Sequence, residues 1–124
     1  MRLNKISKNF VKEEFLCKCG SNKCKKYWMD HDLIKALQAL RDMIESPIII
    51  NSGCRCTRHN DAIGGSSASQ HIEGKAVDIY SPDWTPGLLK IFANKIYTFQ
   101  NGGIGLYSWG IHLDNRGHRA RWTG

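Results

Sequence analysis

Apolar positions recur first with helical spacing. Leu33, Leu37, Leu40 and Ile44 step by four, three and four, which draws one stripe along a helix, and Asp30 stands where a side-chain oxygen caps its first turn. Pro47 stops that pattern, and the β-branched run Ile48 to Ile50 reads as a short buried strand. Residues 51–75 hold Gly53, Gly64, Gly65 and Gly74 among Ser and Asn. They predict a long connection with at most a helical turn around Arg58 to Ile63, and a loop of that length inside a compact fold is usually functional. Alternation returns at Ala76 to Tyr80, a strand. Thr85 as cap and Pro86 at the first helical position then open a second helix carrying Leu88, Leu89, Phe92, Ala93 and Ile96. After Gly102 and Gly103 come two short apolar segments, Ile104 to Tyr107 and Gly110 to Leu113, with a turn at Ser108 and Trp109. Residues 1–28 read as a polar, Cys-containing arm anchored by Phe15 and Leu16, and the tail through Arg116, Arg121 and Trp122 reads as basic and polar. The order predicts an α+β fold with a small, mostly antiparallel sheet and two main helices. With no repeat and no low-complexity segment, 1–124 reads as one domain.

Composition narrows the function classes. The longest strongly apolar stretch, Pro47 to Ile50, falls far short of the roughly 20 residues needed to span a bilayer, and no charged start followed by an apolar segment marks a secretion signal. No membrane partner is expected, and a monomer is. Eighteen Lys and Arg against 11 Asp and Glu leave a net charge of +7, which attracts polyanions. Nucleic acid is not the favoured partner, because the basic residues are scattered from Lys5 to Lys26 and from Arg116 to Arg121 without interleaved aromatics. An anionic bacterial wall suits the same charge.

Five cysteines form two groups, Cys17, Cys19 and Cys24, then Cys54 and Cys56. An odd count leaves at least one outside any intramolecular disulfide. The C-x-C-x4-C spacing matches no strong zinc-ribbon template, so buried thiols, disulfides and a structural metal all stay open.

Strand alternation makes the sharpest statement. In Ala76 to Tyr80, Val77 and Ile79 share one face and Asp78 takes the other; in Gly110 to Asp114, His112 and Asp114 stand opposite Ile111 and Leu113. If the apolar faces build one core, the polar faces meet across the sheet, and His71 can bend over them from its Gly-flanked connection. Two imidazoles and a carboxylate form the protein ligand set of a catalytic zinc. Taken singly, each of His71, Asp78 and His112 is equally at home as an ordinary hydrogen-bonding residue.

Together the residues carry a resemblance. Ser69-Gln70-His71-Ile72-Glu73-Gly74-Lys75-Ala76-Val77-Asp78 resembles the S-x-H-x-x-G-x-A-x-D signature of the D-alanyl-D-alanine carboxypeptidase family of zinc peptidases, which includes phage endolysins, vancomycin-resistance D,D-dipeptidases and the hedgehog fold. Ser52-Gly53-Cys54-Arg55 is similar to its S-G-x-R segment and His112-Leu113-Asp114 to its closing H-x-D segment, while Glu14-Phe15-Leu16-Cys17-Lys18-Cys19-Gly20 resembles the start of a small phage-like branch. The resemblance implies one catalytic Zn²⁺ on His71, Asp78 and His112. It implies Arg55 stabilising an oxyanion or holding a substrate carboxylate; Ser69 reads as a residue orienting substrate or as a turn hydroxyl, and Tyr107 and Trp109 as walls of the substrate cleft or as ordinary packing. The substrate implied is an amide of the peptidoglycan stem peptide or cross-link, cut as a carboxypeptidase or as an endolysin-type endopeptidase. Action on the cell wall without a signal sequence then implies release by a holin or carriage in a virion for a phage enzyme, or a non-standard export route for a host one. Better-known relatives place an Asp or Glu three residues before the last histidine, where this chain has Trp109. Asp114 becomes the substitute general base, or else the residue that orients His112 or Arg116, with Glu73 in reserve. A member of this fold that keeps its metal and only binds is the alternative.

Overall fold

The computed structural model describes residues 4–19, 27–66 and 68–124. Cys24, the last residue of the C-x-C-x4-C spacing, lies outside the described residues.

The first helix, α1 (His31–Ile44), begins where the spacing places it. The Asp30 carboxylate accepts from the Leu33 N–H at 3.0 Å, satisfying one of the amides a helix start leaves unpaired. It ends at Glu45, which turns left-handed at φ 50°. Leu33, Ile34, Ala36, Leu37, Leu40 and Ile44 are buried, and each large side chain among them stabilises the fold by about 1.5–3 kcal/mol. Thr85 and Pro86 open α3 (Pro86–Ala93) as expected, with the Thr85 hydroxyl accepting from the Leu88 N–H at 3.3 Å.

Five strands, β1 (Ile49–Ser52), β2 (Ala76–Tyr80), β3 (Gly103–Leu106), β4 (Ile111–Asp114) and β5 (Ala120–Thr123), form one sheet in the order β1-β2-β4-β3-β5. The α+β expectation is borne out: every pairing is antiparallel except β3 with β5. Ile79, Ile104, Ile111 and Leu113 join the α1 and α3 side chains in one core. Three details differ from the sequence reading. β1 lies at the sheet edge and is buried on one side, so Ile48 and Ile50 are covered while Ile49 is exposed. A short helix α4 (Tyr97–Gln100) follows α3. The basic, polar tail contains a strand the sequence does not predict, because residues 120–123 add β5 beside β3, and the Arg121 guanidinium donates to the carbonyls of Phe99, Gln100 and Gly102 at the end of α4. The Phe99 carbonyl also accepts from the Gly102 N–H at 3.2 Å, and a cation suits the negative end of a helix.

The long connection folds in part. Residues Thr57–Ala62 make α2, capped by the Cys56 sulfur, which accepts from the His59 N–H at 3.4 Å. Gly74, at φ +69°, then bends the chain under Trp28, whose carbonyl a Cβ would strike, and into β2. The N-terminal arm is anchored by the buried rings of Phe10 and Phe15, whereas Leu16 is only half-buried. A 3₁₀ turn (Lys12–Phe15) carries Phe15, whose carbonyl accepts from the Cys54 N–H at 2.9 Å.

Candidate metal centre

The face of the sheet opposite the core carries the polar residues that alternation assigns to it. Asp78 of β2 and His112 of β4 are direct partners across the antiparallel pair, so their side chains rise side by side. Room for them comes from β3: Gly105 lies opposite His112 and Gly103 opposite Asp114, and a Cβ at either would collide with Trp122 or with the Asp114 carboxylate. His71 arrives from the connection ahead of Gly74. Its ring meets that of His112 edge-on, centroids 5.2 Å apart.

Hydrogen bonding fixes which nitrogen of each ring carries a proton. His71 Nδ1 lies 2.8 Å from the Gly53 carbonyl, an oxygen that only accepts, so Nδ1 holds the hydrogen and Nε2 presents a lone pair. That Nε2 is buried without a hydrogen-bond partner, although Asp78 Oδ1 is 3.1 Å away. His112 Nε2 donates to Asp114 Oδ2 at 2.7 Å, and His112 Nδ1 faces the same Asp78 Oδ1 at 2.9 Å. One imidazole nitrogen from each ring and one carboxylate oxygen therefore converge on a single point, electron-rich on three sides. Only a cation or a proton relieves that crowding. Burial alone would push the Asp78 carboxyl up, but in the absence of a cation a proton taken up at this point lets the His112 and His71 rings donate to it and hold it well below the carboxylate range. Burial likewise opposes charge on His112, yet its bonds to Asp114 and Asp78 win and raise its pKa. The donor set suits zinc: imidazole nitrogens and a carboxylate, each outer ring nitrogen tied to an oxygen behind it.

Arg55 and Asp114 occupy less open positions than the sequence suggests. The Arg55 guanidinium, which lines the pocket, donates to Asp78 Oδ2 at 3.1 Å, to Ser52 Oγ at 3.2 Å and to Asn60 Oδ1 at 3.3 Å. Asp114 shares the face of His112 as alternation requires, but its carboxylate is completely buried behind the ring. It accepts from His112 Nε2, from the Gly103 N–H at 2.8 Å and from Arg116 Nη2 at 2.7 Å. Burial opposes its charge, and the His112 and Arg116 contacts hold its pKa well down. Glu73 is exposed.

A pocket of about 540 Å³ opens over this centre. Tyr107 and Trp109 stack along one wall with centroids 5.0 Å apart and planes 17° off parallel, and Ser69 lies on the rim with its hydroxyl accepting from the His71 N–H at 3.2 Å. The sequence does not place Trp122 or Arg116 in the pocket lining, where the structure puts both. Trp122 packs 5.0 Å from the His112 ring and donates through Nε1 to the Tyr107 hydroxyl at 2.7 Å; Arg116 lies over the Trp122 ring. Alternation in Ala120 to Thr123 was the available signal, hidden by its basic surroundings. Among the described residues lining the pocket, Asp78 is the sole carboxylate.

No described helix is long and apolar enough to cross a membrane. A comparison with curated proteins finds no match. The family model described as Peptidase M15 matches residues 8–114, a span that holds His71, Asp78, His112, Asp114 and most of the arm before them, and the chain belongs to that family.

Proposed function

We propose that this chain is a zinc-dependent peptidase that hydrolyses an amide of the peptidoglycan stem peptide or cross-link, with His71, Asp78 and His112 holding the ion. The M15 family is one of zinc-dependent peptidases. The observation that carries the reading is the buried His71 Nε2, a lone pair without a hydrogen-bond partner aimed at the point that Asp78 Oδ1 and His112 Nδ1 also face. When bound there, zinc supplies Lewis acidity, polarising a carbonyl and bringing the pKa of water toward about 7.

The remaining work falls to the chain. The Gly53 carbonyl and the Asp114 carboxylate hold the two rings in the tautomers that turn lone pairs inward. Arg55 steadies Asp78 through its second oxygen and presents a permanent positive charge at the pocket, where it suits a developing oxyanion or a peptide carboxylate. Asp114 is a positioning residue here, since its oxygens are spent on His112, Gly103 and Arg116. Tyr107, Trp109 and Ser69 form the surface a stem peptide would lie against, and the net charge of +7 favours adhesion to an anionic wall.

The test is digestion of purified peptidoglycan and defined stem peptides, read by mass spectrometry of the products. Zinc-loaded protein is expected to release one defined peptide or D-amino acid, and chelation to abolish the release. A second reading, a metal-holding module that binds without cleaving, is favoured by one observation: no lining carboxylate other than Asp78 is present among the described residues. Wall binding and full zinc loading with no cleaved product would select it.

A further inference from the structure

A second set of ligating atoms gathers away from the imidazoles. Cys17 and Cys19 follow the 3₁₀ turn of the arm, Cys56 caps α2, and their three sulfurs lie within 4.8 Å of one another. Cys17 Sγ and Cys56 Sγ are 3.8 Å apart. Disulfide sulfurs sit about 2.05 Å apart, whereas two sulfurs each about 2.3 Å from a tetrahedral zinc are separated by about 3.8 Å. Backbone amides point at these sulfurs: the Cys56 N–H donates to Cys17 Sγ at 3.3 Å and the His59 N–H to Cys56 Sγ at 3.4 Å. Such donors favour thiolate over thiol.

Cys54, two residues from Cys56, shows what an ordinary core thiol looks like in the same segment. It is buried in the apolar cluster, and that burial pushes its pKa up. The arm is also docked by contacts that need no metal. The Cys54 N–H reaches the Phe15 carbonyl at 2.9 Å, and Lys18 Nζ reaches the carbonyls of Ile50 and Asn51 at 3.1 and 2.7 Å. The three sulfurs are thus brought together by the fold from stretches 39 residues apart in sequence.

We propose that Cys17, Cys19 and Cys56 hold a structural zinc ion, separate from the His71, Asp78 and His112 centre, that fastens the N-terminal arm to the segment carrying Arg55. Thiolates select zinc over magnesium and calcium, which take oxygen donors. Binding releases the thiol protons and needs no oxidant. The fastened segment is the one that supports the other centre: the Arg55 N–H donates to the His71 carbonyl at 3.0 Å, and the Gly53 carbonyl holds His71 Nδ1.

The experiment is zinc counting by native mass spectrometry and elemental analysis on the full chain and on the His71→Ala/His112→Ala double variant. Two zinc ions per chain are expected in the wild type and one in the double variant, whose zinc absorption edge should report sulfur neighbours at about 2.3 Å. Cobalt in the same variant should give thiolate-to-metal charge-transfer absorption, and Cys56→Ser should remove it. A double variant that binds no zinc, a bound ion with only nitrogen and oxygen neighbours, or a disulfide joining any two of the three cysteines overturns the proposal. None of these readouts depends on peptide cleavage, so the proposal stands or falls apart from the peptidase reading.

Discussion

The two groups of ligating side chains differ in how they are built. His71, Asp78 and His112 belong to a centre whose two strand residues are locked by direct pairing and whose outer ring nitrogens are each tied to a fixed oxygen. Cys17, Cys19 and Cys56 are half-buried and come from a chain arm and a loop end. The first group opens into a pocket with arginines and stacked aromatics; the second joins two segments. A site meant for chemistry needs rigid ligands beside accessible space, whereas a site meant for fastening needs only to bridge pieces that would otherwise separate.

Substitutions should separate the two. His71→Ala removes a proposed imidazole ligand and is expected to lower kcat/KM for the proposed wall-peptide hydrolysis by about 10³-fold or more, the several kcal/mol that a Lewis acid contributes, and to leave the proposed thiol-held zinc in place. Activity within tenfold of wild type would break the distinction. Asp114→Asn weakens the acceptor behind His112, and a loss of about 10–100-fold in zinc affinity is expected by competition with a chelating dye. Gly53 lies between the groups, its carbonyl on His71, and a Cβ added there would strike the Phe15 backbone, so Gly53→Ala forces the arm outward. Denaturant unfolding should register about 1–3 kcal/mol of destabilisation.

A gentler probe is pH on metal-stripped protein. Asp78 and Asp114 have folded pKa values below their ordinary 3.8, so their contribution is complete above that value and is lost as pH falls through the depressed ones. His112 is raised above 6.5, so its contribution is complete below 6.5 and is lost as pH rises through the raised value. Stability of the stripped protein should therefore peak between about pH 4 and 6.5, measured by denaturant midpoints, and zinc should move the optimum upward because it takes the place of the proton on His112. The smallest effect belongs to Trp109→Ala. With the ring 42% exposed, stability should stay within about 0.5 kcal/mol, while KM rises if the stacked wall holds substrate.

How much of this was legible follows from the distances involved. Asp78 and His112 could be placed because a period of two is a local property, and the apolar partners Val77, Ile79, Ile111 and Leu113 dictate which face remains. His71 required its motif, since nothing in a Gly-rich connection fixes where a side chain points. Asp114 was assigned to the correct face, yet that face does not reveal that Arg116 and the Gly103 amide fill its oxygens. Trp122 reaches His112 only because β5 crosses to the far side of β3 in parallel, a nonlocal pairing that no adjacent residues announce. The meeting of Cys17 with Cys56 depends in the same way on the arm docking through Phe15.

The most direct test is anomalous diffraction at the zinc edge from crystals of the zinc-loaded chain. The account predicts a peak about 2.0–2.2 Å from His71 Nε2, an Asp78 carboxylate oxygen and His112 Nδ1 together. Zinc-loaded crystals with no peak among those three atoms, or with one bound by fewer than all of them, would contradict it.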